Sequence, residues 1–393
     1  MKIKVGVIFG GKSVEHEVSI ISAIQAINNF DKDKYDVIPI YMTKNNEMYV
    51  GELIGKISSY NDISKLTKNS QRVIMLNDLD KVILEKYPMK KFGKNQYAQI
   101  DVVFPIVHGT NVEDGTLQGY LKILNIPFVG CDVTSSAVGM DKYVMKTILK
   151  DNDVPVLDCT VINKHEYIED NKAIANKIKK EISFPVIVKP INLGSSVGIK
   201  IARNDDELFV ALDHAFNFAS QILVEKAITN LREINCSVMG DITSCTPSQC
   251  EEPLNKGEIL SYEDKYISNK KNTPSKGMSS LERQLPANID EKVKNTIQEY
   301  AIKTFKLLNC NGVVRIDFMI DIDSNKIYVN EINTIPGSLS FYLWEASGLK
   351  YKELLTKLVE LAFKRKREES SISYKFDTNI LENFDGGTKG GKI

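Results

Sequence analysis

Two carboxylates and an amide are brought together by one predicted β-hairpin, "VVRIDFMIDIDSNKIYVNEIN". Residues two apart in a strand share a face, so Arg315 and Asp317 point the same way on the first strand. Glu331 and Asn333 share a face on the second strand. A turn within "DIDSN" places Asp317 opposite Glu331, and two carboxylates directly across a ladder repel each other. The pattern therefore predicts a cation between them, and these hard oxygen ligands suit Mg²⁺.

The prediction depends on the register of the hairpin. With the turn centred on Ser324, Arg315 lies opposite Asn333, whereas a slip of one residue would separate the two carboxylates. The alternative interpretation is a solvated strand face on which Arg315 neutralises one acid.

A lysine and a glycine-rich loop predict a second site for anions. Lys189 ends the predicted strand "FPVIVKP", and the "GSSVGI" loop that follows offers backbone N–H groups together with Ser195 and Ser196. Glycines let the backbone approach a phosphate, and the lysine adds a point charge. Glu225, on the next predicted strand, is placed to meet a ribose or an adenine edge. The alternatives are a plain hairpin turn and a salt bridge on an edge strand.

The segment "GVIFGGKS" satisfies the P-loop pattern but is a poor candidate for one. A P-loop needs its variable residues in the loop that wraps the phosphates. Here those residues are the apolar centre of a predicted strand, which leaves only two glycines for the turn. Glu15, His16 and Ser19 follow at a predicted helix start and are better placed for a small ligand.

These residues are positioned by alternating strands and helices. "IKVGVIF", an amphipathic stretch and "YDVIPIYM" predict a strand–helix–strand unit, and therefore an α/β sheet. Further strands are predicted at 99–109, 126–130, 184–190, 194–202 and 221–228, with helices near 141–153 and 350–369. Residues 45–98 are polar, and their elements are not assigned from the sequence.

The composition is that of an ordinary globular protein, with 42% hydrophobic and 26% charged residues. Lys+Arg and Asp+Glu both total 51, so we expect no nucleic-acid or membrane partner. Six cysteines without CxxC spacing and only four histidines argue against zinc and predict reduced thiols in the cytoplasm. The N-terminal apolar run is too short for a membrane-spanning helix and is interrupted too soon for a secretory signal.

Taken in order, "GGKSVEHEVSI", "HGTNVEDGTLQG", "GMDKYVMK", "FPVIVKPINLGSSVGI", "VEKAI…REINCSV", "GVVRIDFM" and "NEINTIPG" resemble the D-alanine–D-alanine ligases of the ATP-grasp superfamily. The resemblance spans about residues 3–362. It implies three α/β domains, with ATP between the central and C-terminal ones. The corresponding boundaries are 1–139, 140–220 and 221–366, followed by a polar, flexible tail at 367–393. It also implies amino-acid substrates, a homodimer, a cytoplasmic location and a role in cell-wall precursor synthesis.

The resemblance assigns roles position by position. For ATP it implies Lys142, Lys189, Ser195, Ser196, Glu225, Lys226, Ile228, Glu233 and Lys265. For two Mg²⁺ ions, with Mn²⁺ as a substitute, it implies Asp317, Glu331 and Asn333. For the first amino acid and its activation it implies Glu15, His108, Ser195, Tyr266 and Arg315. For the second it implies Gly337, Ser338 and Tyr342.

The chemistry implied is activation of a carboxylate as an acyl phosphate, followed by attack of an amine. Because acyl phosphates hydrolyse readily, a lid must exclude water. The polar segment 261–280, which carries Lys265 and Tyr266, is the predicted lid.

The chain departs from the family after "NEINTIPG". Where the family has a Ser-His-Ser type segment, this chain has "SLSFYLWE", and Tyr342 stands at the expected serine. The resemblance implies D-alanyl-D-alanine as the default product, but Tyr342 leads us to expect an acceptor other than D-alanine, a different amino acid or a peptide, because pocket shape sets selectivity. The alternative is that Tyr342 packs in the core and Ser338 or Ser340 acts instead. A nucleotide-binding protein without ligase activity and a P-loop kinase are further alternatives.

Overall fold

The computed structural model describes residues 1–78, 81–194, 196–254 and 283–373. These residues form three β-sheets with helices packed against them, so the expected α/β class is confirmed. No helix in the described ranges has the length and apolar character needed to cross a bilayer. The six cysteines, all within these ranges, form no disulfide.

The first sheet has the strand order β6-β5-β4-β3-β2-β1-β7. Its strands are β1 (Ile3–Gly10), β2 (Tyr35–Met42), β3 (Met48–Val50), β4 (Gln71–Asp78), β5 (Lys81–Lys86), β6 (Gln96–Ile100) and β7 (Val102–Ile106). β1 pairs in parallel with β2 and β7, and helix α1 (His16–Asn29) connects β1 to β2, as predicted. β3 to β6 add antiparallel strands from the segment that sequence patterns left unassigned.

Both outer strands of this sheet come from one stretch of chain, because β6 leads into β7 through Asp101. The Asp101 N–H donates to the Lys4 carbonyl at 2.9 Å, and its carboxylate accepts from the Lys4 N–H at 2.8 Å. Asp101 therefore ties the connection between the two outer strands to β1. The strand predicted at 126–130 is wrong, since only one bridge, Val103 to Phe128, forms there.

The second sheet has the order β10-β9-β11-β8. It contains β8 (Cys159–Asn163), β9 (Val186–Pro190), β10 (Lys200–Ala202) and β11 (Gln221–Lys226). The predicted division at 220/221 assigns β11 to the C-terminal part, yet β11 pairs with β9 and β8. We therefore propose that the boundary lies after Lys226.

The third sheet, ordered β14-β13-β12-β15-β16, carries the carboxylate hairpin. It contains β12 (Leu231–Gly240), β13 (Cys245–Pro253), β14 (Arg283–Gln284), β15 (Gly312–Asp321) and β16 (Lys326–Asn333).

The remaining helices cover the sheets or connect them. They are α2 (Ile63–Lys68), α3 (Thr116–Ile123), α4 (Val133–Met140), α5 (Lys142–Asp151), α6 (Lys164–Glu169), α7 (Asn171–Glu181), α8 (Asp205–Ala215), α9 (Glu291–Leu307), α10 (Phe341–Ala346) and α11 (Tyr351–Ser370). The start of α5 is set by Asp141, whose carboxylate accepts from the N–H groups of Tyr143 and Val144 at 3.0 and 2.9 Å. This cap places Lys142 in the first turn, facing the cleft.

The last helix packs back against the first sheet. Leu354, Leu355 and Leu358 of α11 are fully buried in the same apolar core as Val5 and Val7 of β1. α11 continues to Ser370, so the expected tail does not begin at 367, and residues 374–393 lie outside the described part.

Candidate active site

The carboxylate hairpin forms with the predicted pairing at the site. Asp317 lies opposite Glu331 and Arg315 lies opposite Asn333, so all four side chains share one face. Nearer the turn, Asp321 pairs with Lys326, so the turn centres half a residue before the predicted position. A bulge between these two parts of the ladder restores the register. The predicted pairing is therefore confirmed, but it needs an irregularity that sequence reasoning did not include.

Positively charged side chains of the protein offset the repulsion between the two carboxylates. Arg315 donates two hydrogen bonds to Asp317, at 2.6 and 2.7 Å. Lys142 lies 3.5 Å from the Glu331 carboxylate, and the Asn333 amide donates to Asp317 at 3.2 Å. The alternative in which Arg315 neutralises one acid thus describes part of the arrangement, although the face lines a cleft and is not solvated strand surface.

The oxygens of Asp317, Glu331 and Asn333 fit a divalent cation that takes its remaining ligands from a bound molecule. Among the described residues no group of three or more His, Cys, Asp or Glu side chains is placed to hold a metal ion. The hairpin offers two carboxylates and one amide oxygen, all hard donors. Mg²⁺ typically takes one or two protein carboxylates and completes its shell with water and phosphate oxygens.

A second charged cluster lies on the neighbouring sheet, around Glu225 of β11. The Glu225 carboxylate is 2.8 Å from the Lys146 ammonium and pairs through its other oxygen with Lys189. Burial raises the pKa of Glu225, but the two lysines outweigh it, so the pKa lies below its usual value. β11 is an inner strand, so the edge-strand alternative is wrong.

Lys189 connects this cluster to the hairpin. Its ammonium donates to the Asn330 side chain at 3.3 Å, and Asn330 is the residue at the bulge beside Glu331. Sequence analysis missed Lys146, although its position one helical turn after Lys142 on α5 gives both lysines the same face.

The remaining residues expected to contact ATP surround the same cleft. Ser196, Lys226, Ile228 and Glu233 all line it. The Lys226 ammonium donates to the carbonyls of Phe184 and Ser183 at 2.7 and 3.1 Å, which ties β11 to the turn before β9. Ser195, Lys265 and Tyr266, together with the predicted lid at 261–280, lie outside the described residues.

On the side of the first sheet, Glu15 and His108 enter the cleft from the loops after β1 and β7. His108 Nδ1 lies 2.8 Å from the Ile335 carbonyl, which can only accept, so this nitrogen carries the hydrogen. Nε2 then accepts from the Ser22 hydroxyl at 3.0 Å. Burial lowers the pKa of His108 to about 4, so the ring is neutral near pH 7.

Glu113 was missed by sequence analysis and occupies the centre of this region. Its carboxylate accepts from the backbone of Gly109 at 2.9 Å, the backbone of Ile335 at 2.8 Å and the Thr334 hydroxyl at 3.3 Å. It therefore joins the loop after β7 to the segment after β16. Burial and the nearby Glu15 carboxylate raise the pKa of Glu113 to about 8.

The segment after the hairpin places Gly337 in the cleft and turns Ser338 away from it. The Ser338 hydroxyl donates to Gln25 of α1 at 2.7 Å, and its backbone N–H donates to Ser22 at 3.0 Å. Ser340 is fully buried, and its hydroxyl has no hydrogen-bond partner among the described residues.

Tyr342 lines the cleft and is held by charged neighbours. Its hydroxyl donates to Glu251 at 3.1 Å, and the Arg283 guanidinium lies 3.9 Å from its ring centroid. Arg283 also pairs with Glu251 at 2.9 Å, and Asn235 donates to the same carboxylate at 3.1 Å. Burial raises the pKa of Tyr342 to about 12, so the phenol stays neutral.

The P-loop interpretation is not supported. Val7, Ile8 and Phe9 are fully buried within β1, and Lys12 is exposed and does not line the cleft.

Comparison with known proteins gives one consistent family. "D-ala D-ala ligase N-terminus" matches residues 4–131 and "D-ala D-ala ligase C-terminus" matches residues 148–360. A D-alanine–D-alanine ligase of Thermosipho melanesiensis is 40% identical over 97% of this chain and 98% of its own. One of Caldicellulosiruptor bescii is 41% identical over 95% and 98%.

Solved structures agree. The D-alanine-D-alanine ligase from Coxiella burnetii superposes with a TM-score of 0.77 at 30% identity, covering 94% of this chain and 96% of its own. The VanG D-Ala:D-Ser ligase from Enterococcus faecalis gives 0.75 at 31% identity, covering 92% and 100%. The resemblance seen in the sequence is thereby confirmed, and the chain belongs to the D-alanine–D-alanine ligase family.

Proposed function

We propose that this protein is an ATP-dependent ligase that joins two D-alanine molecules to D-alanyl-D-alanine for cell-wall synthesis. The observation that carries this proposal is the shared face of Arg315, Asp317, Glu331 and Asn333, which meets Lys142 and Lys189 across one cleft. Charge of both signs is thus positioned where a triphosphate and divalent ions must be held together.

The metal site of this proposal consists of Asp317, Glu331 and Asn333, holding two Mg²⁺ ions with Mn²⁺ as a substitute. When bound, the ions offset the charge of the phosphates. Lys142, Lys189 and Arg315 add the chain's own positive charge at the transferred phosphoryl group. Ser195, Ser196 and Lys265 assist at the phosphates, and Glu225, Lys226, Ile228 and Glu233 hold the nucleoside.

In the first step, a D-alanine carboxylate oxygen attacks the γ-phosphorus of ATP, and the bond to the β-phosphate oxygen breaks, releasing ADP. Glu15 holds the ammonium of this D-alanine, with Ser195 and Tyr266 beside it. His108 acts here as a neutral hydrogen-bonding group, because its pKa of about 4 keeps it uncharged.

In the second step, the amine of the other D-alanine attacks the acyl carbon, phosphate leaves and the amine loses a proton. Gly337 and Tyr342 line the acceptor end of the cleft, whereas the Ser338 hydroxyl points to Gln25 and only supports this segment. The lid at 261–280 excludes water during this step.

A second candidate is a ligase of the same mechanism with another amino-acid acceptor. Tyr342 favours it, because a phenol held by Glu251 and Arg283 fills volume at the acceptor end. The VanG D-Ala:D-Ser ligase from Enterococcus faecalis is among the solved relatives.

The main proposal is tested by measuring ADP release from ATP in the presence of Mg²⁺, with D-alanine as the only amino acid. Mass spectrometry then identifies the product. We expect one D-alanyl-D-alanine per ADP and loss of turnover in chelator. D-serine and other amines offered with D-alanine test the second candidate. Turnover undiminished in chelator, or no ADP with any amino acid, would contradict both.

A pair of variants sharpens the metal assignment. Asp317→Asn removes a proposed ligand and should lower kcat by at least about 100-fold. Asp321→Asn on the same strand lies outside the cleft and serves as the matched control, with expected kcat within about twofold of the parent.

We also propose a cytoplasmic homodimer, on the basis of the family. Light scattering after size exclusion tests the dimer, and a mass equal to one chain would contradict it.

A further inference from the structure

The loop between β5 and β6 exposes apolar side chains at its tip. Residues 87–94 are all exposed. The Phe92 side chain is 89% exposed and Met89 is 53% exposed, with Tyr87 and Tyr97 at 43% and 40% on the flanks. Scattered apolar residues on a surface are ordinary, whereas several together on one protruding loop indicate a contact with something apolar.

The same loop carries a local excess of positive charge. Lys90, Lys91 and Lys94 lie within it, Lys86 ends β5 beside it, and no Asp or Glu occurs between Glu85 and Asp101. The chain as a whole has equal numbers of basic and acidic residues, so the global balance conceals this local field. We call residues 86–97 the basic tip.

The basic tip has a defined shape. The Asn95 side chain accepts from the Lys90 N–H at 2.9 Å and donates to the Lys90 carbonyl at 3.1 Å. The Lys86 N–H donates to the Asn95 carbonyl at 2.9 Å, and the Arg72 guanidinium lies 4.7 Å from the Tyr87 ring centroid. Phe92 and the lysines are therefore presented together at the end of a closed loop.

The basic tip is separated from the cleft by the length of β6 and β7. It immediately precedes β6, which continues through Asp101 into β7, and His108 follows β7 at the cleft. The tip and the cleft therefore lie at opposite ends of this stretch, and a surface that holds the tip leaves the cleft open.

We propose that the basic tip docks the protein on anionic lipid bilayers. Phe92 and Met89 enter the interface between headgroups and acyl chains, and the four lysines meet acidic headgroups. Stable attachment to a bilayer usually needs two signals, and here an apolar anchor and a polybasic patch occur in one loop. The lysine stems can lie along the interface while their ammonium groups stay hydrated.

A second copy of the chain fits this surface less well. A twofold contact through the tip would bring four lysines against four lysines, with no acid in the loop to offset them. A nucleic acid would satisfy the lysines but would give Phe92 and Met89 no apolar phase.

Flotation of the full-length protein with vesicles tests the proposal. We expect binding to phosphatidylcholine vesicles that contain about one third phosphatidylglycerol, and at least about tenfold weaker binding to phosphatidylcholine alone. Changing Lys90, Lys91 and Lys94 together to Gln should weaken anionic-vesicle binding on the order of 100-fold, at about fivefold per lysine. Phe92→Ser should weaken it about tenfold.

A matched control changes similar residues on another surface. Ile168→Ser combined with Lys172→Gln, Lys177→Gln and Lys180→Gln alters an exposed isoleucine, 72% exposed, and three exposed lysines, and should bind vesicles like the parent. Equal binding to neutral and anionic vesicles, or unchanged binding of the tip variants, overturns the proposal. So does a dimer that dissociates on Phe92→Ser, or binding to single-stranded DNA as tight as that to anionic vesicles and insensitive to Phe92→Ser.

The ligase activity is an independent readout. All tip variants should keep the parent's turnover in vesicle-free buffer, because none touches the cleft. Loss of vesicle binding with intact turnover concerns the tip alone, and absence of turnover in the parent concerns the proposed function alone.

Discussion

Two buried carboxylates line the same cleft and differ in what surrounds them. Glu225, 1% exposed, lies between the ammonium groups of Lys146 and Lys189 on the second sheet. Glu113, 7% exposed, accepts from two backbone N–H groups and one hydroxyl beside the first sheet, with Glu15 nearby. Burial raises the pKa of both groups, yet the pKa of Glu225 ends below its usual value and that of Glu113 near 8.

Burial raises the pKa of both carboxyl groups, and the charge of the neighbouring groups determines where each pKa finally lies. Two ammonium groups offset the desolvation of Glu225, whereas neutral donors only partly offset that of Glu113. One region of the cleft therefore holds preformed ion pairs, and the other holds a carboxyl group that is largely protonated at pH 7.

The largest expected effect is that of Glu225→Gln. The change leaves Lys146 and Lys189 buried without their common counter-charge, so we expect the free energy of unfolding to fall by about 3–5 kcal/mol. Urea denaturation followed by circular dichroism measures it. Adding Lys146→Met to this variant should recover part of the loss, and a loss below about 1 kcal/mol would show that the pairs are not needed.

The second effect is on pH dependence. The folded pKa of Glu113, about 8, exceeds the unfolded value, so its contribution is complete below pH 4.5 and is lost as pH rises towards 8. The lowered pKa of Glu225 acts oppositely, because its contribution is present above pH 4.5 and is lost only in more acidic solution. Between pH 5 and 8 the parent should lose about 1 kcal/mol per pH unit more than Glu113→Gln. Parallel denaturation profiles of the two proteins would contradict this.

The third effect is that of Glu113→Gln on stability. Near pH 4.5, where Glu113 is protonated in the folded protein, Glu113→Gln removes one acceptor, so we expect a loss of about 1 kcal/mol there that shrinks as pH rises towards 8. Glu113→Ala orphans three donors and should cost about 2–3 kcal/mol. The emission of Trp344, the only tryptophan and 3% exposed, follows unfolding in both variants. A Gln variant as damaged as Glu225→Gln would erase the contrast between the regions.

The smallest effect concerns a third buried carboxylate, Glu251. Tyr342→Phe removes one of its three partners, while Arg283 and Asn235 remain, so we expect a loss of about 0.5–1 kcal/mol. Chemical denaturation gives the value, and Leu343→Ala in the same cluster is a matched comparison that should cost at least about 2 kcal/mol.

Local patterns sufficed for the hairpin and failed for contacts between distant segments. Asp317 and Glu331 are placed by strand alternation and a short turn, and both can be read from adjacent residues. Glu113 meets Thr334 and Ile335 across more than two hundred residues, and no periodicity signals such a contact. Asn330, the residue at the bulge, likewise accepts a hydrogen bond from Lys189, which lies on another sheet.

The overlooked strands have a different physical reason. β3 to β5 carry many partly exposed residues, so their alternation is weak, and the basic tip interrupts β5 and β6 with charge. The residues at the acceptor end of the cleft were predicted only in part. Tyr342 was singled out from its position, but its partners Glu251 and Arg283 come from strands whose alignment the sequence does not reveal.

The return of α11 to the first sheet has a consequence for synthesis. Val5 and Val7 leave the ribosome early, and the leucines that cover their core belong to residues 351–370. A nascent chain must therefore hold an unfinished apolar surface until residues 351–370 have also left the ribosome. Truncations that remove this helix should yield aggregates instead of a smaller folded enzyme.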